Sequence, residues 1–321
     1  MAVYTEVGDE ELSAFIATYD IGAVLSFKGI AEGVENTNYF LHTSAGAYII
    51  TLYEKRVRAE DLPFFLGLME HLAGRGLPCP RPVRNKRGEA FARLAGRPAA
   101  IIEFLEGLSL RRPTTRHCHA VGGALARLHL AGRDFPIQRP NALSVEGWPP
   151  LFAAAERDGD RVAPGLVART RCELDDLARL WPRGLPGGVI HADLFTDNVL
   201  FVGEQVSGLI DFYFACTDAF AYDLGICLNA WCFEPDSSFN VTKGRAMISG
   251  YESVRRLEDA EIAALPVLCR GSALRFMLTR LVDWLNVPPG ALVKPKDPLE
   301  YDRKIAFHRR VASAAEYGLE R

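Results

Sequence analysis

Apolar positions in the first hundred residues fall into short alternating runs broken by two stretches of helical period. Leu12, Phe15 and Ile16 recur at helical spacing, and Asp9, Glu10 and Glu11 fill a first turn where acidic side chains favour the exposed amides. A short amphipathic helix is therefore predicted from Asp9 to Tyr19. Ala23 to Ile30, Tyr39-Phe40-Leu41 and Tyr48 to Tyr53 read as three antiparallel strands, with Ala45-Gly46 as a turn. From Ala59 to Arg75 the period is helical again, with Leu62, Phe65, Leu66, Met69 and Leu72 on one face, until Gly76-Leu77-Pro78-Cys79-Pro80 stops it. Two further strands are expected near Glu89 to Arg93 and Ala99 to Phe104.

Beyond Leu105-Glu106-Gly107 the pattern becomes mainly helical, which places a domain boundary there: residues 1–104 form one lobe and 105–321 the other. Helices are predicted from Thr114 to about Gly132, Ala153 to Asp158, Val162 to Trp181, Phe220 to Cys232, Lys243 to Arg255, Asp259 to Trp284 and Leu299 to Leu319. The fold class is α+β, a five-stranded antiparallel sheet with its helix followed by a larger helical lobe. One stretch interrupts the helices. Val189-Ile190 and Val199-Leu200 are apolar strands that flank the polar loop His191-Ala192-Asp193-Leu194-Phe195-Thr196-Asp197-Asn198, and a second strand runs through Leu209-Ile210 to Asp211-Phe212. Strands that fix both ends of the loop bring His191, Asp193, Asn198 and Asp211 toward one rim of a small sheet.

Bulk composition narrows the partners. A chain of 321 residues, 49% hydrophobic and 24% charged, can build two cores. A net charge of -3 gives no electrostatic reason to expect nucleic acid or an anionic membrane, and the basic run from Arg81 to Arg87 reads as a solvated turn. Seven cysteines, odd in number, widely spaced and without CxxC pairs, point to a reducing compartment rather than to disulfides or zinc. The acidic N-terminus lacks the basic and apolar regions of a signal peptide, and no long uncharged apolar run suggests a membrane span, so a cytoplasmic location is expected.

The polar loop carries the chemistry. Transfer of a phosphoryl group from ATP to a hydroxyl requires one carboxylate to orient the hydroxyl and accept its proton, and further oxygens to hold the magnesium that bridges the phosphates. Asp193 suits the first role, Asn198 and Asp211 the second, since magnesium prefers hard oxygen ligands. His191 is expected to bond backbone and shape the loop, and His129 to be a satisfied core histidine. Gly29 and Gly33, in the loop between the first two strands, can bring backbone amides close to phosphate oxygens, although two glycines there also serve turn geometry.

His191-x-Asp193-x4-Asn198 followed by Ile210-Asp211-Phe212, behind a sheet-rich lobe, resembles the aminoglycoside-phosphotransferase and choline-kinase family of small-molecule kinases over nearly the whole chain. Within that family, the phrases Phe27 to Tyr39, Leu62-Pro63-Phe64-Phe65-Leu66 and Ile210 to Asp218 are similar to those of the bacterial homoserine kinases that share the fold. The resemblance implies a two-lobed protein-kinase-like fold and ATP-dependent, Mg2+-requiring phosphorylation of the hydroxyl of L-homoserine on the threonine pathway. It implies Asp193 as catalytic base, Asn198 and Asp211 as the two magnesium ligands, Glu103, Phe104 and Leu105 as the hinge that receives adenine, and Asp223 as an acidic brace of the catalytic loop. The chain departs from the family where a third-strand lysine or arginine and its helical glutamate are expected, for Thr51 and Gly67 stand there. Lys55 lies on the same strand face if the strand runs that far.

The short interval between Asp211 and Asp223, with no Ala-Pro-Glu beyond it, leaves little room for a segment on which a peptide would lie, so a small substrate fits better. A zwitterionic amino acid needs a cation or amides for its carboxylate and oxygens for its ammonium. Tyr213, Asp218, Asn229 and Trp231, near Asp211 and on the next helix, are candidates by proximity alone, as are Arg275 and Arg280 on a later helix. Two alternatives stay open at this stage: another small-alcohol kinase such as a choline or ethanolamine kinase, and a nucleotide-binding pseudokinase.

Overall fold

The computed structural model describes residues 5–30, 36–54, 57–287 and 295–319. By its internal contacts the chain divides into two units, one of residues 1–107 with 207–213 and the other of residues 108–206 with 214–321.

In the first unit, α1 (Asp9–Ile16) precedes strands β1 (Val24–Ile30), β2 (Thr37–Thr43) and β3 (Gly46–Leu52), then α2 (Leu62–Gly74), β4 (Pro82–Val83), β5 (Ala92–Leu94) and β6 (Arg97–Glu103). The sheet is antiparallel in the order β1-β2-β3-β6-β4, with β5 also on β6, so it has six strands where the sequence pattern indicates five. The additional strand is the two-residue pairing of Pro82 and Val83 with Ile102 and Ile101, too short to show alternation. Side chains alternate across the strands. Tyr39, Leu41, Ile50, Leu52 and Ile101 join Leu12, Phe15 and Ile16 of α1 in one core cluster. Asn38 and Thr51, paired across β2 and β3, lie on the opposite face, where the Thr51 hydroxyl donates to Asn38 Oδ1 at 2.8 Å. The apolar stripe of α2 is fully buried, and Phe64 and Leu68 are buried with it.

The second unit contains α3 (Thr115–Ala131), α4 (Trp148–Ala155), α5 (Leu166–Leu180), β7 (Gly187–Ile190), β8 (Val199–Val202), β9 (Gln205–Leu209), whose last residues belong to the first unit, β10 (Cys216–Ala219), α6 (Phe220–Trp231), α7 (Val241–Glu252), α8 (Asp259–Leu285) and α9 (Leu299–His308). α4 starts earlier than the expected Ala153 because Pro149 and Pro150 occupy first-turn positions, which need no intrahelical amide donor. The expected helix from Leu299 to Leu319 stops at His308, and the chain folds back through a 3-10 turn so that the Tyr317 hydroxyl bonds His308 Nδ1 at 2.7 Å. The two 27-residue and 12-residue helices α8 and α6 form the centre of the core with α4 and α9. By length and composition α8 could cross a membrane, but 72% of its most apolar window is buried inside the protein. Thr114 caps α3 in a capping box with His117.

Candidate active site

The polar loop lies between β7 and β8 in the second unit. β7 pairs with β10 and β8 with β9, so the loop is set by two separate two-stranded sheets and not by the rim of one. The amides of residues 191–193 and the carbonyls of residues 192–194 are all hydrogen-bonded. The His191 and Ala192 amides donate to the two oxygens of Asp223 at 2.7 and 2.9 Å, and the Asp193 amide donates to His191 Nδ1 at 3.3 Å. The carbonyl of Ala192 accepts from Arg275, and that of Leu194 accepts from the Trp231 indole at 2.8 Å. Ala192 has φ +60°, a left-handed conformation that costs a residue with a Cβ about 1–2 kcal/mol. Such strain persists only where surrounding bonds over-determine the backbone, and these bonds do so.

Asp223, at the head of α6 and without solvent exposure, takes a third bond from His129 Nε2 at 3.0 Å. The proton order behind that bond follows from valence. Arg255 can only donate, so at 3.1 Å it donates to the Tyr251 hydroxyl, the hydroxyl donates to His129 Nδ1 at 2.7 Å, and His129 carries its proton on Nε2 toward Asp223. Burial pushes the His129 pKa down, outweighing the pull of Asp223, so the imidazole is neutral. Burial pushes Asp223 up, yet its hydrogen bonds from His129 and the His191 amide hold it below the ordinary carboxylate range. Glu261 ends the chain with a two-pronged bond to Arg255 at 3.0 and 2.9 Å. His129 is thus a buried structural histidine, and its work is to complete the shell of Asp223.

Asn198 donates Nδ2 to the Asp193 carbonyl at 2.8 Å and, more weakly, to Asp193 Oδ2 at 3.3 Å. A carbonyl accepts only from the NH2 end, so the orientation of this amide is fixed and its remaining polar atom is the oxygen Oδ1. Asp193 is half-buried.

Asp211 belongs to the first unit, two residues beyond β9, and also has a left-handed backbone, φ +65°. Its charge helps to raise the pKa values of Tyr53 and Tyr213, whose hydroxyls are 3.2 Å apart and whose shifts come first from desolvation. Gly29 lies in β1 opposite Tyr39. Gly33 and Lys55 lie outside the described residues. Glu103 and Phe104 donate their amides to the Arg81 and Ala47 carbonyls at 2.9 and 3.2 Å, whereas the Leu105 amide makes no hydrogen bond among the described residues.

Several substrate candidates are already committed elsewhere. Asn229 is buried, donating to the Cys269 carbonyl and Ser272 and accepting from His308. Trp231 holds Leu194, and Tyr213 pairs with Tyr53. Asp218 accepts from Asn141 and the Ala219 amide, both at 2.7 Å. Arg280 pairs with Glu300 at 2.6 Å over the Tyr301 ring. Tyr251 and the loop-binding role of Arg275 were invisible in sequence, since neither carries a motif and both reach the loop only through tertiary packing.

A strand, a buried loop that presents a fixed aspartate and an amide oxygen, and a separate sheet-bearing unit are the parts of a kinase-type phosphotransferase. Residues 26–257 match the phosphotransferase enzyme family, and the chain belongs to it. It is 74% identical over 318 residues to the homoserine kinase of Methylobacterium nodulans, covering 99% of each chain, and 73% identical over 321 residues to that of Methylobacterium sp. strain 4-46, again covering 99% of each. Its fold is similar to that of the amicoumacin kinase hAmiN in complex with AMP-PNP, Ca2+ and Ami, with a TM-score of 0.69 at 16% identity over 96% of this chain and 93% of that one.

Proposed function

We propose that this chain transfers the γ-phosphoryl group of ATP to the side-chain hydroxyl of L-homoserine, giving O-phospho-L-homoserine and ADP. The observation that carries the chemistry is the immobilised loop: Asp193 follows a strained residue whose two peptide planes are pinned by Asp223, His191 and Arg275, which suits a carboxylate that must meet a hydroxyl in one orientation. Full-length relatives named homoserine kinase support the choice of alcohol.

In this reading Asp193 orients the hydroxyl and accepts its proton, with His191 and Asp223 shaping the loop. Asn198 and Asp211 are the ligands for Mg2+, which when bound neutralises charge on the phosphates. The donor set fits that ion. Asn198 has its NH2 end engaged and its oxygen remaining, Asp211 offers a carboxylate, and magnesium on a nucleotide takes few protein ligands. The lobe 1–104 is the nucleotide side, with Gly29 and Gly33 toward the phosphates and the hinge Glu103–Leu105 toward adenine. The unengaged Leu105 amide supports this assignment, because a ring nitrogen of adenine accepts such a donor. The lobe 105–321 supplies the acid–base chemistry and the acceptor alcohol. The reaction belongs in the cytoplasm, and the seven free thiols accord with a reducing compartment.

Release of ADP with L-homoserine, choline and ethanolamine offered side by side tests the acceptor, and turnover is expected with homoserine. Asp193→Asn keeps shape and removes the proton acceptor, so kcat should fall by about 10²–10⁴-fold while ATP binding stays within a few-fold. Unchanged turnover in that variant would reject the assignment of Asp193.

A further inference from the structure

We propose that Arg275 is a positioning residue for the phosphoryl-transfer step, aiming the Asp193 carboxylate by gripping the peptide plane that precedes it. The inference rests on the reading of Asp193 as the base and adds a residue that the sequence pattern offers only as a substrate cation.

Arg275 projects from the middle of α8 and is 2% exposed. Among the described residues it has no carboxylate partner, and its Nε has no hydrogen-bond partner. Its guanidinium lies 4.2 Å from the ring centre of Phe276 and 5.3 Å from that of Phe214, and one Nη donates to the Ala192 carbonyl. A buried cation without an anion is costly unless it is hydrogen-bonded, and a residue that only filled space would be better replaced by an apolar side chain. Among the described residues, two ring faces and one carbonyl compensate it.

The carbonyl is well placed for such a role. The peptide plane joining Ala192 to Asp193 has its C=O on Arg275 and its N–H on His191 Nδ1, and the plane before it has its N–H on Asp223. Two pinned planes set the direction of the Asp193 Cα–Cβ bond. The charges are also matched: the carboxylate of Asp223 faces the amide of Ala192, and the guanidinium of Arg275 faces its carbonyl. Without Arg275 the second plane keeps only the 3.3 Å bond to His191, and the left-handed Ala192 can relax.

The test is steady-state kinetics on the full chain with Arg275→Met and Arg275→Lys, alongside thermal unfolding of each. Arg275→Met should lose about 100-fold in kcat, the scale expected for a misplaced catalytic group, with KM for homoserine and ATP within about threefold. Arg275→Lys, which keeps a charged donor, should recover about tenfold of that loss. A kcat for Arg275→Met within about threefold of wild type overturns the proposal. So does a large rise in the homoserine KM with kcat retained, which would make Arg275 a substrate anchor. Should Arg275→Met not fold, Arg275→Gln provides the same kcat and KM comparison. Failure of the underlying reading shows separately: if the wild type does not phosphorylate homoserine, the Arg275 comparison is made with whichever alcohol it accepts, and an Asp193→Asn variant with undiminished turnover overturns the positioning role together with the base.

Discussion

Four non-glycine residues among those described have left-handed backbones, and two of them are Ala192 and Asp211. The others, Ala95 before Gly96 and Ser237 beside Asp236, sit in turns where such a conformation is ordinary. At Ala192 the strain is held by side chains from α6 and α8. Asp211 invites a direct trial. Glycine adopts φ +65° without a Cβ penalty, which offsets the extra freedom it gives the unfolded chain, so the unfolding free energy of Asp211→Gly should stay within about 1 kcal/mol of wild type in urea titration. With the proposed magnesium ligand gone, turnover should fall and its dependence on Mg2+ concentration should shift to weaker binding. Stability retained while activity is lost would mark a residue kept for function. Wild-type magnesium dependence in this variant would count against the metal role.

Among the helices, residue types that sequence reading discounts turn out to be decisive. α3 and α7 meet through glycines: a Cβ on Gly250 would stand 2.0 Å from the His119 carbonyl oxygen, and one on Gly122 2.0 Å from that of Met247. Neither glycine has positive φ, so close approach and not backbone freedom demands them. Gly250→Ala should therefore force the two helices apart and cost about 1–3 kcal/mol, measurable as a lower urea midpoint with an unchanged slope. The apolar stripes of α1 and α2 and the alternation of β2 were legible because one buried face imposes a period on the sequence. β4 was not, since two residues cannot show a period, and the end of α9 was not, since Arg309 and Arg310 could continue a helix until Tyr317 finds His308. In the candidate site, the polar residues 191–198 stood out between two apolar strands, whereas Arg275 and Tyr251 lay hidden in ordinary helical patterns.

The stability of the whole molecule should respond to mild acid through its buried histidines. His308 is fully buried between Tyr317 and Asn229, and burial, reinforced by the charge of Lys304, pushes its pKa down to about 3. His129 is shifted in the same direction. Unfolded histidines take up protons near pH 6.5 while the folded ones stay neutral. The unfolded state therefore binds more protons below that point. Stability is complete above about pH 6.5 and declines as the pH falls, by up to about 1.4 kcal/mol per pH unit for each histidine. The carboxylates Asp223 and Glu300, held below their ordinary values, add their own losses only at lower pH. Urea midpoints between pH 5 and 8 test this. His308→Gln should be less stable at pH 7 yet show a shallower decline toward pH 5; an unaltered slope would mean that His308 is protonated in the folded protein.

By itself the sequence determined which segments are helix or strand wherever a buried face repeats, and it marked a short polar loop whose aspartate and asparagine are of the types phosphoryl transfer uses. Local pattern suffices for this because periodic burial and compact polar motifs are written in neighbouring residues. Tertiary structure alone decided how that loop is held. The proton order from Arg255 through Tyr251 and His129 to Asp223, and the grip of Arg275 on Ala192, join residues far apart in the chain. A buried hydrogen bond depends on distance and direction in space, and no spacing along a sequence encodes either.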